Sequence, residues 1–385
     1  MKRTFILTGG TGFLGRYLSK ALLELGDEII FLGRRSSMNN FEQRLIDALR
    51  QVGWSGSIKV RFVDFDLGID DNPEVDELLK NCPKIDGIWH LAANLSFRRR
   101  DKESVYATNV GGIRKIFNLA ERLHCPLFYM STAYVHGTME GYVLEKILKS
   151  SKHFNNAYEH SKHLTEQLVA EWGQSGKQYI IFRPSILIER ERKVESSFGY
   201  YAVMSNILHL KNNLLTLIDK RPVLSKAIAS RTQNDEIRVN LFLFCSRKCK
   251  LNLMPVDTAV QWMMSISEQQ DSLNKIFHIT NPNPFPIRTA LQDSLRAAGI
   301  QMRVIGTSRL LASIPFVLFT GIGMFVKTLG KTAHILSMYK SYMINYNEYE
   351  MQNTARALNI NIAKELTFDK DFIFKLGRDY ISKVE

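Results

Sequence analysis

Cysteine is scarce. Four occur in 385 residues (Cys82, Cys125, Cys245 and Cys249), scattered along the chain, which argues against a disulfide framework and for a reducing compartment. Cys245 and Cys249 stand in C-S-R-K-C, but no second Cys or His pair follows to complete a zinc site, so no metal is expected. Acidic residues are short too: 38 Asp and Glu against 51 Lys and Arg leave a net charge of +13. Such a balance favours anionic partners, among them a phosphate-rich cofactor, an acidic carrier protein, an anionic membrane surface or nucleic acid. The charge is spread out, with SFRRRDK at 96–102 the one compact cluster, so no nucleic-acid partner is expected. A long membrane-spanning run is also missing. The uncharged stretch LLASIPFVLFTGIGMFV, 310–326, is interrupted by Pro315, Gly321 and Gly323 and lies at the lower edge of a span. It reads as a buried element, a pocket wall or a segment leaning on a membrane. Met1-Lys2-Arg3 runs straight into a short strand, so no secretory signal is expected. The expected location is cytoplasmic, with peripheral membrane contact left open.

With 45% hydrophobic and 23% charged residues, the composition is that of an ordinary globular protein. Its length suits one domain plus a smaller second one. TFILTGGTGFLGRYLSKALLELG reads as a buried strand, a glycine turn and an amphipathic helix ending near Gly26. Gly9 lets the chain turn out of the strand, Gly12 lets backbone approach a pyrophosphate, and Gly15 lets the helix pack on the sheet. After the second strand, DEIIFLGRR, Arg34 and Arg35 stand where a carboxylate would bind the 2′-hydroxyl of NAD. Guanidinium groups there favour the 2′-phosphate of NADP(H). Asp66-Leu67, at the end of a third strand, is placed to meet the adenine amino group. Ala92-Ala93, at the end of a fourth, lets backbone pass close to a ligand. Strands alternating with helices, one of them over 101–124, predict an α/β fold: a Rossmann-type doubly wound parallel sheet with helices on both faces. All these candidates fall at the carboxyl ends of strands, where such sheets bind ligands.

The fifth strand, Leu127–Met130, emerges at Ser131-Thr132. AYEHSKHLTEQL at 157–168 then puts Tyr158 and Lys162 one helical turn apart, side by side. A hydroxyl at a strand end, a tyrosine and a lysine form a proton-handling set. The ammonium is expected to favour the phenolate, to pull the tyrosine's pKa down and to bind the nicotinamide ribose. The hydroxyl is expected to meet charge developing on a substrate oxygen. Asn109 could orient a water or the lysine.

Taken together, TGGTGFLG, HLAA, TNVGG, STAYVHG, YEHSK and FRPS resemble the extended short-chain dehydrogenase/reductase superfamily, over about residues 4 to 280. FYMSTAYVHG, FNNAYEHSKHLTEQLV and LNLMPVDTAV are more similar to its fatty acyl-CoA reductase and thioester-reductase (male-sterility-type) branch than to sugar-nucleotide epimerases. The resemblance implies Thr132, with Ser131 as the alternative, together with Tyr158, Lys162 and Asn109, as the catalytic set. It further implies Gly9, Thr11, Gly12, Phe13, Leu14 and Gly15 at the pyrophosphate and Asp66 and Leu67 at the adenine. Leu91, Ala92 and Ala93 would lie beside the ribose, with Pro184 and Ser185 near the nicotinamide. After FRPSILI the family often has a glycine turn, whereas this chain has ERERKVESSFG.

Residues 1–190 are thus expected to form the NADP-binding domain with the catalytic residues. Residues 191–385 would form a smaller, mainly helical substrate region, with parts near 250–280 returning to the first domain. ESSFGYYAVMSNILHLKNNLLTLI, apolar and aromatic at helical spacing, is either ordinary core or the wall of an acyl tunnel. The implied activity is NADPH-dependent reduction of a fatty acyl thioester, on coenzyme A or an acyl carrier protein, to aldehyde or alcohol. Two alternatives stay open: a dehydrogenase or epimerase of a sugar nucleotide or steroid-like alcohol, and a non-catalytic NADP-binding sensor or scaffold. The oligomeric state is not legible in the sequence.

Overall fold

Every residue of Thr4–Thr8 is buried, with Phe5 and Leu7 packing to one side and Ile6 to the other. A strand apolar on both faces belongs in the middle of a covered parallel sheet, and that is its place. In the computed structural model, which describes residues 2–34, 40–56, 61–68, 73–80, 82–149, 153–190, 198–220, 228–232, 236–313 and 340–384, it is β1 of a seven-stranded sheet. The others are β2 (Glu28–Gly33), β3 (Arg61–Asp64), β4 (Gly87–His90), β5 (Leu127–Met130), β6 (Tyr179–Pro184) and β7 (Lys275–Ile279). All pairs are parallel, in the order β7-β6-β5-β4-β1-β2-β3. The chain leaves β1 on one side for β2 and β3, then returns to β4 on the other. The order therefore reverses between β1 and β4, where a crevice opens at the carboxyl ends. One apolar layer, with Leu18, Phe31, Trp89 and Phe182, covers one face. A second, with Ile30, Ile116, Leu127 and Ile181, covers the other. The sheet is doubly wound.

Helices α1 (Phe13–Glu24), α2 (Phe41–Gln51) and α3 (Ala157–Gln174) place the site. The segment 101–124 is not one straight helix. Lys102–Tyr106 passes through a π-turn at Ala107–Gly111 before Ile113–Leu123 resumes. Gly112 lies where the π-turn ends, and a Cβ there would meet Leu67 Cβ at 2.7 Å. Beneath α3, Arg183 of β6 donates from Nε to Glu166 Oε1 (2.8 Å) and from Nη2 to Oε2 (2.5 Å), both side chains buried. It also donates to the carbonyls of Leu144 and Lys146. Removing one partner of such a pair leaves a buried charge, so Glu166→Gln is expected to lower stability by about 3 kcal/mol in urea unfolding.

A separate apolar cluster joins helix α4 (Tyr200–Lys220), Ile287–Ala297 and Phe372–Ile381 with a three-stranded sheet of Ala229–Arg231, Ile237–Ser246 and Ile300–Thr307. Val256–Ser267 packs on the main sheet, while Asn347–Tyr349 pairs with Gly141–Val143. Of the uncharged run at 310–326, Leu310 and Leu311 are exposed and Ala312 is buried. Residues 314–326 lie outside the described residues, as does Arg35. Among the described residues, no helix is long and apolar enough to cross a membrane.

Candidate active site

One cavity of about 1660 Å³ runs from the glycine turn, across the ends of β1, β4, β5 and β6, into the second cluster. At its glycine-turn end, Gly9 takes φ +78° and its carbonyl accepts from Gly12 N at 2.9 Å. A Cβ on Gly9 would lie 2.7 Å from Ala92 N, and one on Gly15 would lie 2.1 Å from Gly9 O. The turn, α1 and the Leu91–Ala93 backbone thus close on each other with no room for side chains at those two glycines. Thr11, Gly12, Phe13, Leu14 and Gly15 line this end, with the N-terminus of α1 facing the space.

Arg34 also lines the cavity, and the structure adds a residue that the sequence reading missed. Arg44, on α2, donates to the Arg34 carbonyl, lies over the Phe41 ring at 5.8 Å, and leaves its buried Nε without a partner. Helical periodicity gives Arg44 no distinguishing mark, because only the fold brings α2 beside the end of β2. Asp66 and Leu67 line the same wall, with Asp66 Oδ1 accepting from Gly68 N at 2.8 Å. Pro184, the last residue of β6, and Ser185 after it line the cavity, as does Ser131 at the end of β5. The hydroxyls of Ser131 and Ser185 are both buried and have no hydrogen-bond partner among the described residues.

Thr132, Tyr158 and Lys162 converge on the cavity beyond β5. The Thr132 hydroxyl accepts from Tyr134 N at 3.3 Å, and Thr132 neighbours the Tyr158 phenol. Lys162 is buried, donates to Met130 O at 2.6 Å, and sits 4.8 Å over the Tyr129 ring. Here the electrostatics differ from the sequence-based expectation. Burial draws Lys162 down to about 7 against the weaker pull of Glu166, so its charge is only partial at neutral pH. Tyr158 is raised, not lowered: burial dominates, Glu159 adds to it, and Thr132 opposes. In this geometry burial keeps the proton on the phenol.

Asn109 is held by three side-chain hydrogen bonds. Its Oδ1 accepts from Asn94 N (2.7 Å), and its Nδ2 donates to Asn94 O (3.0 Å) and Ser161 Oγ (2.8 Å). It fastens the loop after β4 to α3. That loop matters, because its Phe97 packs against Tyr158 at 6.1 Å and against Tyr342 at 6.4 Å. Phe97, Glu159 and Tyr342 border the cavity and were not singled out from the sequence. Glu159 could have been noticed as a carboxylate next to the tyrosine, whereas Tyr342 lies too far along the chain to be paired with it by pattern.

Beyond the tyrosine the lining turns mostly apolar, with Val203, Ile207 and Leu214 of α4, Leu241 and Leu243 of the small sheet, and Leu291 of Ile287–Ala297, although Asn206, Asn212 and Asn213 of α4 line it too. Of the charged run that begins at Glu189, residues 191–197 lie outside the described residues. Glu189 itself is buried and accepts from the Tyr17 hydroxyl at 2.6 Å.

A family model described as "Male sterility protein", of NAD-binding type, matches residues 7–263. Among curated proteins, a putative dihydroflavonol 4-reductase of Synechocystis sp. is 28% identical over 188 residues, 48% of this chain and 49% of that protein. A nonribosomal peptide synthetase of Aspergillus flavus is 29% identical over 201 residues, 47% of this chain and 19% of that protein. The chain thus spans about half of the first relative's length and about a fifth of the second's. Among solved structures, the terminal R domain of the myxalamid PKS-NRPS pathway aligns with TM-score 0.74 and 22% identity, covering 100% of this chain and 90% of that one. A UDP-glucuronic acid 4-epimerase from Bacillus cereus aligns with TM-score 0.62 and 13% identity, over 99% and 97% of the two chains. At these identities the two structures share the fold.

Proposed function

The chain belongs to the male sterility protein family of NAD-binding proteins, and from that premise we propose that it is an NADPH-dependent reductase of fatty acyl thioesters carried on coenzyme A or an acyl carrier protein. The observation that carries this reading is the apolar arm opening directly off Thr132 and Tyr158. An acyl chain gains roughly 0.8 kcal/mol per buried methylene in such an arm, whose lining is mostly aliphatic with Asn206, Asn212 and Asn213 of α4 as polar exceptions.

The glycine turn, with no space for a Cβ at Gly9 or Gly15, and the buried Ser131 and Ser185 hydroxyls, without a hydrogen-bond partner among the described residues, fit a dinucleotide laid across the strand ends. Gly12 and the α1 N-terminus would hold its pyrophosphate, Asp66 its adenine, and Arg34 with Arg44 a 2′-phosphate. Bound there, the reduced nicotinamide supplies a hydride for the carbonyl carbon. Thr132 and Tyr158 hold the carbonyl oxygen, and the Tyr158 hydroxyl gives it a proton as the C–O bond becomes single. In the resulting hemithioacetal the C–S bond breaks, the thiolate leaves with the electron pair, and the hydroxyl proton returns to Tyr158 as C=O reforms. The thiolate takes its proton from solvent, leaving aldehyde and thiol. A second round on the aldehyde would give the alcohol. Phe97 and the apolar arm keep water away while this happens.

The test is NADPH oxidation with acyl thioesters and aldehydes of increasing chain length. Turnover should rise with chain length and be absent for nucleotide sugars. Robust turnover of a sugar nucleotide or steroid alcohol, with thioesters inert, would overturn the reading. For the cofactor, Arg44→Ala is expected to weaken NADPH binding about tenfold to a hundredfold, the worth of a charge-assisted hydrogen bond, and to leave NADH within about twofold. Calorimetric titration with both cofactors measures this.

A further inference from the structure

The compact basic run of the sequence, Arg98-Arg99-Arg100 with Lys102, has no task in the chemistry above. It lies in the loop after β4, and that loop runs along the rim of the cavity, which Leu95, Ser96, Phe97 and Arg98 all line. Its character changes abruptly from one residue to the next. Phe97 packs against the Tyr158 ring at 6.1 Å and the Tyr342 ring at 6.4 Å. Arg98, Arg99 and Arg100 are exposed. Among the described residues, Arg98 and Arg99 have no carboxylate partner, and Arg100 has only its neighbour Asp101, at 3.6 Å. Adjacent guanidinium groups repel one another, so a loop that keeps them together needs other bonds to hold its shape. Ser96 Oγ donates to Asp101 Oδ2 at 2.6 Å and accepts from Arg98 N at 3.2 Å. Asn94 Oδ1 accepts from Ser96 N at 3.1 Å, and Asn94 Nδ2 donates to Ser104 Oγ at 2.9 Å. Asn109 fastens the same Asn94. The Asp101 carboxylate is thus occupied by Ser96 and Arg100, and the charges of Arg98 and Arg99 face outward from a built loop.

We propose that this loop is a phosphate site for the far end of a pantetheine-borne thiol, the anionic group that coenzyme A and the prosthetic arm of a carrier protein have in common. The inference rests on the reading of the protein as a thioester reductase. A thioester held at Thr132 and Tyr158 sends its acyl chain into the apolar arm, while the dinucleotide fills the glycine-turn end. The sulfur side is left to run past Phe97 to the rim, where Arg98 stands. A pantetheine arm is long and flexible and carries its phosphate at the end away from the sulfur. A phosphate caught at Arg98 therefore tethers the thioester beside Tyr158 and raises its local concentration there. Guanidinium groups suit this task, because their planar forks of N–H donors match phosphate oxygens. The site is separate from Arg34 and Arg44, which stand at the end of β2, with β1 lying between β2 and β4. The arginines are exposed, so solvent and salt weaken their hold, and the effect expected is at the low end for a charge-assisted hydrogen bond.

The experiment compares one acyl chain on pantetheine, on 4′-phosphopantetheine and on coenzyme A. In the parent protein, KM should be about tenfold lower for acyl-phosphopantetheine than for acyl-pantetheine with similar kcat, because the phosphate is bound equally in ground and transition states. Acyl-coenzyme A should behave as acyl-phosphopantetheine does. In the double variant Arg98→Ala, Arg99→Ala that preference should shrink to about twofold or less. It should return in good part in Arg98→Lys, Arg99→Lys, which keeps the charges and loses only the fork. Raising the ionic strength from about 0.05 M to about 0.5 M should narrow it in the parent protein. Lys370→Ala, which removes an exposed charge elsewhere, should keep it. A preference that survives the double alanine variant overturns the proposal. So does a loss confined to acyl-coenzyme A, which would put the arginines on its nucleotide part, or an equal loss of NADPH affinity, which would put them on the cofactor. Calorimetric titration of the NADP⁺-saturated protein with free phosphopantetheine and with pantetheine reads the site without turnover. Phosphate-dependent binding with no thioester reduced would sink the proposed function and leave the phosphate site standing. Thioesters reduced at equal KM on all these thiols would do the reverse.

Discussion

Tyr158→Phe should lose about a thousandfold or more in turnover while binding NADPH within about twofold of the parent protein. The change removes a single hydroxyl. Positioned general acids contribute roughly 10² to 10⁴ in rate, and here the same hydroxyl also holds the substrate oxygen with Thr132. A thousandfold is about 4 kcal/mol of transition-state stabilisation. Little else should move. The phenyl ring keeps its packing against Phe97, and Lys162 keeps its bond to Met130 O. The glycine turn lies on another element. The loss should appear in kcat as well as in kcat/KM, because the proton is needed only as charge develops on the oxygen. Single-turnover absorbance decay of bound NADPH, beside calorimetric cofactor binding, separates the outcomes. Turnover within about tenfold of the parent would mean another group donates the proton. A matching fall in cofactor affinity would mean the variant is damaged rather than uncatalytic.

The sheet and the glycine turn were legible because both rest on local rules. An all-apolar five-residue strand, three glycines and an amphipathic helix leave few other arrangements, and family motifs repeat the signal further along. The residues that tune the site were not legible, because tertiary neighbours decide their states. Tyr158 and Lys162 look like a phenol activated by an ammonium when only their spacing is visible. Burial then weakens the cation and strengthens the phenol's hold on its proton, and a carbonyl of β5 occupies the lysine. Asn109 sits on a π-turn that no periodicity announces, and that turn aims its amide at Asn94. Tyr342 reaches the cavity from an element distant in sequence, so no window of residues could pair it with the site, and Arg44 is brought there only by the packing of α2 beside the end of β2. The apolar arm lies between: α4 showed its helical spacing in the sequence, but whether its face met core or cavity depended on the strands of another sheet.

Gly15→Ala should weaken dinucleotide binding about a hundredfold or more. Its Cβ would stand 2.1 Å from Gly9 O and 2.9 Å from Gly9 C, both backbone atoms with no flexible end to swing aside. Relief requires that α1 lift from the turn or that Gly9 move. Gly9 is itself held by its positive φ and by the Leu91–Ala92 backbone on its far side. The displaced atoms are those of the turn that the Gly12 amide closes onto the Gly9 carbonyl and that aims the helix N-terminus at a pyrophosphate, so geometry is lost where anion binding depends on it. Overpacking of this kind also costs about 1–3 kcal/mol of stability, which alone could mimic a binding defect. Gly26→Ala supplies the control. Gly26 has φ +83° at the end of the same helix, but a Cβ there meets nothing within 4 Å. It should lose about 1 kcal/mol through backbone strain and bind the cofactor normally. If the two variants lose affinity in proportion to stability, the defect is global and the turn is not special. Unchanged binding in Gly15→Ala would remove the glycine cradle from the cofactor site altogether.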